Sequence, residues 1–128
     1  MIDAQSVLET LQAAIDARDA DALVALFDEP AVLIGTAGDG RNRDALVRYL
    51  TALATQPESF RWEWSEVVPF HRSDEALGFA AFGEVVVSDA SGERRAPIRA
   101  TIFAVETADG WRLRQFHGSV PYGVLMEA

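Results

Sequence analysis

The chain has 128 residues, 49% hydrophobic and 24% charged. That is the size and composition of one folded domain with its own core, with no apolar run long enough to cross a membrane and no disordered-chain signature. Eleven basic residues, all arginine, stand against 20 acidic ones, for a formal net charge of −9. Association with phosphate backbones or anionic membranes would start against repulsion, so neither nucleic acid nor membrane is an expected partner. Cysteine is absent, which removes disulfides, thiol nucleophiles and Cys-metal sites, and histidine occurs twice, at His71 and His117, too few for a His-based metal cluster without heavy carboxylate help. No signal-peptide pattern follows Met1-Ile2-Asp3, so the expected location is cytoplasmic. The all-Arg, Ala-rich composition is compatible with a GC-rich bacterium.

The first 29 residues read as two helices. Val7, Leu8, Leu11, Ala14 and Ile15 recur at helical spacing, with Ser6-x-x-Glu9 as a capping box. Asp19 or Asp21 caps a shorter helix carrying Leu23, Leu26 and Phe27, which Pro30 ends. Ala31–Ile34 is a short strand, and the Gly35–Gly40 stretch is a glycine-dense loop. A third helix runs from Arg43 to Thr55, with Leu46, Tyr49, Leu50 and Leu53 as its inward stripe.

From Phe60 the period changes to two. Phe60, Trp62 and Trp64 alternate with Arg61, Glu63 and Ser65, as in a strand, and His71–Asp74 reads as a turn. Ala76–Val87, Arg95–Glu106 and Trp111–Ser119 are further strands, separated by Ser88–Gly92 and Ala108–Gly110. Helices first and antiparallel hairpins later give an α+β domain, a single unit over 1–128. Three N-terminal helices against a curved, mainly antiparallel sheet make a cone whose open end suits a small molecule.

The last strand carries the most specific pattern. Trp111-Arg112-Leu113-Arg114-Gln115-Phe116-His117-Gly118-Ser119-Val120-Pro121 resembles the W-x-(I/L)-x-H-x-H-x-S-x-P ending of SnoaL-like domains in the nuclear transport factor 2-like, ketosteroid-isomerase-like superfamily. A similar ending occurs in the association domain of calcium/calmodulin-dependent protein kinase II. Arg99-Ala100-Thr101 resembles the R-x-T pattern upstream of it, and Phe27–Leu33 the F-x-D-D-A-V entry into the first strand. The resemblance implies the cone fold but no single activity, since that superfamily spans isomerases, dehydratases, hydrolases, cyclases, binders and assembly domains. Two departures narrow it. Where relatives of ketosteroid isomerase place a carboxylate base late on the first strand, this chain has Leu33-Ile34-Gly35, and its first helix has no Tyr. Gln115 stands in place of the first His of H-x-H.

Strand alternation puts Gln115, His117 and Ser119 on one face with Leu113 and Trp111, and Arg99 with Thr101 on one face of the preceding strand. If the two faces coincide inside the cone, Arg99 anchors the negative end of a ligand, with Thr101, Gln115, His117 and Ser119 around it. Trp62, Trp64 and Tyr49 then form the apolar wall. The plainer reading pairs Arg99 with a strand carboxylate such as Glu84 or Glu63 and leaves His117 and Ser119 to a subunit contact. The expected function is a pocket domain for a small anionic or polar organic molecule. The alternatives are an isomerase, dehydratase or hydrolase with His117 as acid or base, and a homodimeric assembly domain with a vestigial pocket. No cofactor is expected: the glycine loop lacks the Lys of a phosphate cradle. No calcium-loop spacing occurs, so no metal is expected either. Both faces of the long strands are partly apolar, as Ile98, Ala100, Ile102 and Ala104 oppose Arg99, Thr101, Phe103 and Val105. A homodimer through the sheet would cover the second face.

Overall fold

The computed structural model describes residues 2–121 and Gly123. Helix α1 (Ala4–Asp16) starts at Asp3, whose carboxylate accepts from the Ser6 amide at 2.9 Å and the Ser6 hydroxyl at 2.8 Å. The cap therefore falls three residues before the expected Ser6, which lies inside the first turn. Helix α2 (Ala20–Ala25) is capped by Asp19, and α3 (Arg43–Thr55) by Asn42, whose side chain accepts from the Ala45 amide at 2.9 Å.

Six strands form one sheet in the order β2-β1-β6-β5-β4-β3. They are β1 (Phe27–Ile34), β2 (Asp39–Gly40), β3 (Ser59–Arg72), β4 (Ala76–Asp89), β5 (Gly92–Thr107) and β6 (Gly110–Ser119). The pairing is antiparallel except between β1 and β6, which run parallel. The α+β architecture is as expected, with four differences at element ends. Phe27 opens β1 instead of ending α2. Pro30 lies within β1, where the β1–β6 register shifts between Phe27 and Val32 and its missing N–H is tolerated. The glycine loop holds the two-residue strand β2. His71 and Arg72 belong to β3, not to the turn after it.

The core lies between the helices and one face of the sheet. Val7, Leu11, Leu23, Leu46 and Leu50 from the helices meet Leu77, Phe79, Ile102 and Leu113 from the strands, all essentially without solvent contact. On β5 the inward set is Ala96, Ile98, Ala100, Ile102 and Ala104, one residue in two, and the side chains between them face the other way. Bulges interrupt β3 between Trp64 and Glu66 and between Pro69 and His71. On β6, Arg114 is an extra residue: Phe103 pairs with Gln115 while Ala104 pairs with Leu113. The Arg114 guanidinium reaches across to β1 and donates twice to Asp28 Oδ2, at 3.0 and 2.7 Å.

Two polar contacts hold this frame. Gln12 on α1 accepts from the Trp62 amide at 2.9 Å and donates to the Phe60 carbonyl at 3.2 Å, so one side chain pairs two backbone groups on the free edge of β3. Gln12→Ala leaves both groups without a protein partner and should cost about 1–2 kcal/mol of unfolding free energy, measured by urea denaturation. Asp28 is held below the ordinary carboxylate range, first by the Arg114 hydrogen bonds and then by the Glu29 amide. A lowered folded-state pKa adds stability that is present above about pH 4 and is lost as the pH falls through the folded value. Asp28→Asn should therefore lower stability at neutral pH and flatten the acid limb of the stability–pH curve, read from thermal melts between about pH 2 and 5.

Candidate functional site

A cavity of about 460 Å³ opens between the three helices and the inward face of the sheet, within the range of small-molecule sites. Its depth is apolar: Leu11 and Ile15 of α1, Leu23 of α2, Leu50 and Leu53 of α3, and Phe27, Leu33, Ile98 and Phe116 of the strands. Trp62 forms the aromatic centre of one wall. Its ring stacks on Phe116 at 5.7 Å between centroids and meets Phe60 edge-on at 5.6 Å. Because Gln12 also fixes its backbone, Trp62 is held from both ends.

Tyr49 reaches the wall from α3, half-buried. Its hydroxyl lies so close to the Gly35 backbone that a Cβ there would come within 1.9 Å of the oxygen and 2.7 Å of Cζ. Burial raises the phenol above its ordinary pKa, and a hydrogen bond from the Ala37 backbone partly offsets the rise. Gly35→Ala should expel the phenol from its seat and destabilise the fold by about 1–3 kcal/mol. Denaturation should show part of that loss recovered when Tyr49→Phe is added.

The polar groups gather at the rim, where Thr36, Gln56, Glu58, Arg94 and Arg95 complete the lining. Arg94 shares the face of Ala96 and Ile98, and its guanidinium pairs with Glu58 and, at 3.5 Å, with Asp89. Arg95 points to the opposite face, to Glu63 at 2.6 Å, Glu84 at 3.3 Å and Glu93 at 3.7 Å. Arg61 joins the same network through Glu63 at 2.9 Å and Glu93 at 3.5 Å. Glu63 is accordingly held below the usual carboxylate range, first by Arg95 and then by Arg61. Three guanidiniums thus meet five carboxylates around this end of the sheet, Arg61 and Arg95 with Glu63, Glu84 and Glu93 on the outer face and Arg94 with Glu58 and Asp89 at the cavity rim. Arg18, in the left-handed region at φ 53°, pins the rim segment from below by donating to the carbonyls of Gln56 and, at 3.3 Å, Glu58.

The expected site residues fall into separate places. Tyr49 and Trp62 line the cavity. Trp64 packs against the core beside Trp62, at 5.7 Å, outside the cavity lining. Arg99, Thr101, His117 and Ser119 come together as expected, but on the outer face of the sheet. There, with Ala80, Phe82 and Ala100, they border a notch of about 130 Å³. Arg99 Nε donates to Ser119 Oγ at 3.1 Å, and Thr101 pairs with His117 across the strands. Gln115 lies on that same face, opposite Phe103. The shared hollow of guanidinium, imidazole and tryptophan expected from the sequence is not formed, because the β5 alternation sends Arg99 outward. The expected common face for Trp111, Leu113 and Gln115 is not formed either, since the extra residue Arg114 inverts the phase: Leu113 and Phe116 point inward, Gln115 and His117 outward. Arg99 also lacks the carboxylate partner of the plainer reading among the described residues.

Sequence reasoning missed the rim. Glu58 and Arg94 are 36 residues apart and meet only through the register in which Phe60 pairs with Val87 and Val87 with Arg94. The Arg94-x-Ala96-x-Ile98 alternation was the available signal. Among the lining residues, Tyr49 and Glu58 are the side chains that carry an ionisable oxygen; the position where ketosteroid-isomerase relatives carry their base is occupied by Leu33-Ile34-Gly35, of which Leu33 and Gly35 line the cavity. Among the described residues no three His, Asp or Glu side chains converge as metal ligands, and no helix is long and apolar enough to cross a membrane.

The SnoaL-like domain profile matches residues 4–123. The chain belongs to the SnoaL-like domain family. Solved structures share the fold of this SnoaL-like domain at low identity. A Xanthomonas campestris protein provisionally described as a calcium/calmodulin-dependent protein kinase II association domain is 16% identical with a TM-score of 0.82, over 92% of this chain and 85% of that one. A nuclear transport factor 2-like protein of Streptomyces avermitilis, provisionally named a dehydratase, is 15% identical with a TM-score of 0.77, over 89% and 90%. A third, from Pseudomonas putida and of unknown function, is 16% identical with a TM-score of 0.74, over 92% and 84%. No curated protein matches the sequence.

Proposed function

We propose that this SnoaL-like domain binds a flat, uncharged, mainly apolar organic molecule in the cavity. The aromatic body would lie against Trp62, Phe60 and Phe116, and a hydroxyl or carbonyl would turn toward Tyr49 and Thr36. The observation that carries this reading is the division of the cavity: an apolar depth holding no ionised group and a rim whose one inward guanidinium, Arg94, is already matched by Glu58 and Asp89. Burying an unpaired charge in that depth would cost far more than it returns, and at the rim Arg94, already held by two carboxylates, offers an anion no unmatched charge. This shifts the ligand class from the anion suggested by Arg99 toward a neutral molecule. A catalytic role through His117 has no support from the cavity, because the imidazole lies across the sheet from it.

Three probes of one shape test the reading: 2-naphthol, 2-naphthoate and 2-naphthylmethylammonium. Titration should quench Trp62 fluorescence with 2-naphthol at least about tenfold more tightly than with the naphthoate, a difference of about 1.4 kcal/mol. Ala96→Trp, which fills the wall, should abolish the quenching while leaving the fold intact by circular dichroism. Equal or tighter binding of the naphthoate would overturn the neutral-ligand reading, and no binding of any probe would overturn the pocket itself.

Self-association through the sheet is supported by a separate observation. The large hydrophobic side chains most exposed in the structure, Val68 at 43%, Phe70 at 58% and Phe82 at 40%, all lie on the outer face, a patch of the kind that marks a contact surface.

A further inference from the structure

The outer face can be read as a grid, because strand pairing fixes which side chains stand side by side. One row runs Glu66, Phe82, Arg99, Ser119 across β3, β4, β5 and β6. The next runs Val68, Ala80, Thr101, His117. The third runs His71, Gly78, Phe103, Gln115, with the His71 ring 5.8 Å from that of Phe103 and Phe70 of the β3 bulge lying over Gly78 so closely that a Cβ there would be 2.6 Å from the ring. The charged residues of this face toward the β4–β5 hairpin, Arg61, Glu63, Glu84, Glu93 and Arg95, are closed into their own network. Glu66 and Arg99 are different. Neither has a charged partner within 4 Å among the described residues, and they stand one strand to either side of Phe82.

Acid, exposed aromatic, base is a sequence that complements itself when turned through 180°. We propose that two copies of this chain meet through the outer face with Phe82 at the two-fold axis and Glu66 of each copy paired with Arg99 of the other. The proposal rests on the self-association reading and adds the register. An isologous contact must bring every residue pair together twice. A two-fold axis along β4 does this: β3 of one copy lies over β5 of the other, and β4 lies over β4. Phe82 then stacks on its counterpart, Val68 covers Thr101, and Phe70 meets Phe103, so the three exposed hydrophobics are buried together. The same step gives Arg99 the carboxylate it lacks among the described residues of its own chain. Glu84, near the axis, stays neutralised by Arg95 of its own copy. Face-to-face sheets in this alignment keep their strands within about 30° of one another, which preserves the pairing near the axis.

Sedimentation equilibrium on the full chain distinguishes the register from the self-association it depends on. Wild type should be a dimer. Glu66→Arg and Arg99→Glu should each raise the dimer dissociation constant at least about tenfold, since each places like charges together twice across the axis. The double variant Glu66→Arg/Arg99→Glu should return it to within about threefold of wild type, the signature of a direct pair. Both positions are exposed, and circular dichroism of each variant checks that the fold is kept. A wild-type monomer at every concentration would overturn both the dimer and the register. A wild-type dimer that the single changes leave intact, or that the double change does not restore, would overturn the register alone.

Discussion

A strand residue can serve one face of its sheet and not the other. This parity constraint decides most of what the domain can do. On β5 it gives the cavity Ala96 and Ile98 and the core Ala100, Ile102 and Ala104, while Arg99, Thr101 and Phe103 go outside. On β6 a single extra residue, Arg114, resets the parity partway along, so Leu113 and Phe116 both reach the interior although their spacing is three. The bulge is held by the bonds from Arg114 to Asp28. That contact therefore acts beyond its own strength, since it maintains which side chains enter the cavity.

The architecture was legible in the sequence because it rests on patterns that add up over many residues. Helical stripes in the first 55 residues and period-two runs after Phe60 point to the same answer, and the ending Trp111–Pro121 points to the family. The composition of the cavity wall was legible in part: Tyr49 and Trp62 are where their stripes put them. The polar site was not, for a physical reason. Motif resemblance locates residues along a strand but does not say which way they face, and a bulge is a one-residue event with little composition of its own. The β5 alternation alone, Ile98, Ala100, Ile102 and Ala104 against Arg99 and Thr101, contained the correct assignment. The helix caps show the same limit at smaller scale, since Asp3 and Ser6 are both good capping residues and only the chain path chooses between them.

The cavity combines rigidity at depth with charge at its entrance. Trp62 is fixed by rings on its faces and by Gln12 on its backbone, and Tyr49 is fixed by the absence of a side chain at Gly35. Such a wall selects by shape. The entrance selects by charge, because its inward arginine, Arg94, is held by two acids, Glu58 and Asp89. Shape and charge are set by different elements here, the first by helices and β3, the second by the β4–β5 hairpin and the segment after α3, so either can change in a relative without disturbing the other.

The Gln12 bridge has one more consequence, for the chain's behaviour in a crowded solution. β3 is a fourteen-residue strand with one side unpaired, the kind of border that invites another polypeptide to add on and grow a fibril. Here the amide of Gln12 occupies its first stretch, and the two bulges break the rest into pieces too short and too twisted to template a newcomer. Lateral growth is disfavoured at this long border, which leaves the outer face of the sheet for association, where the proposed two-fold contact would close after two copies and stop.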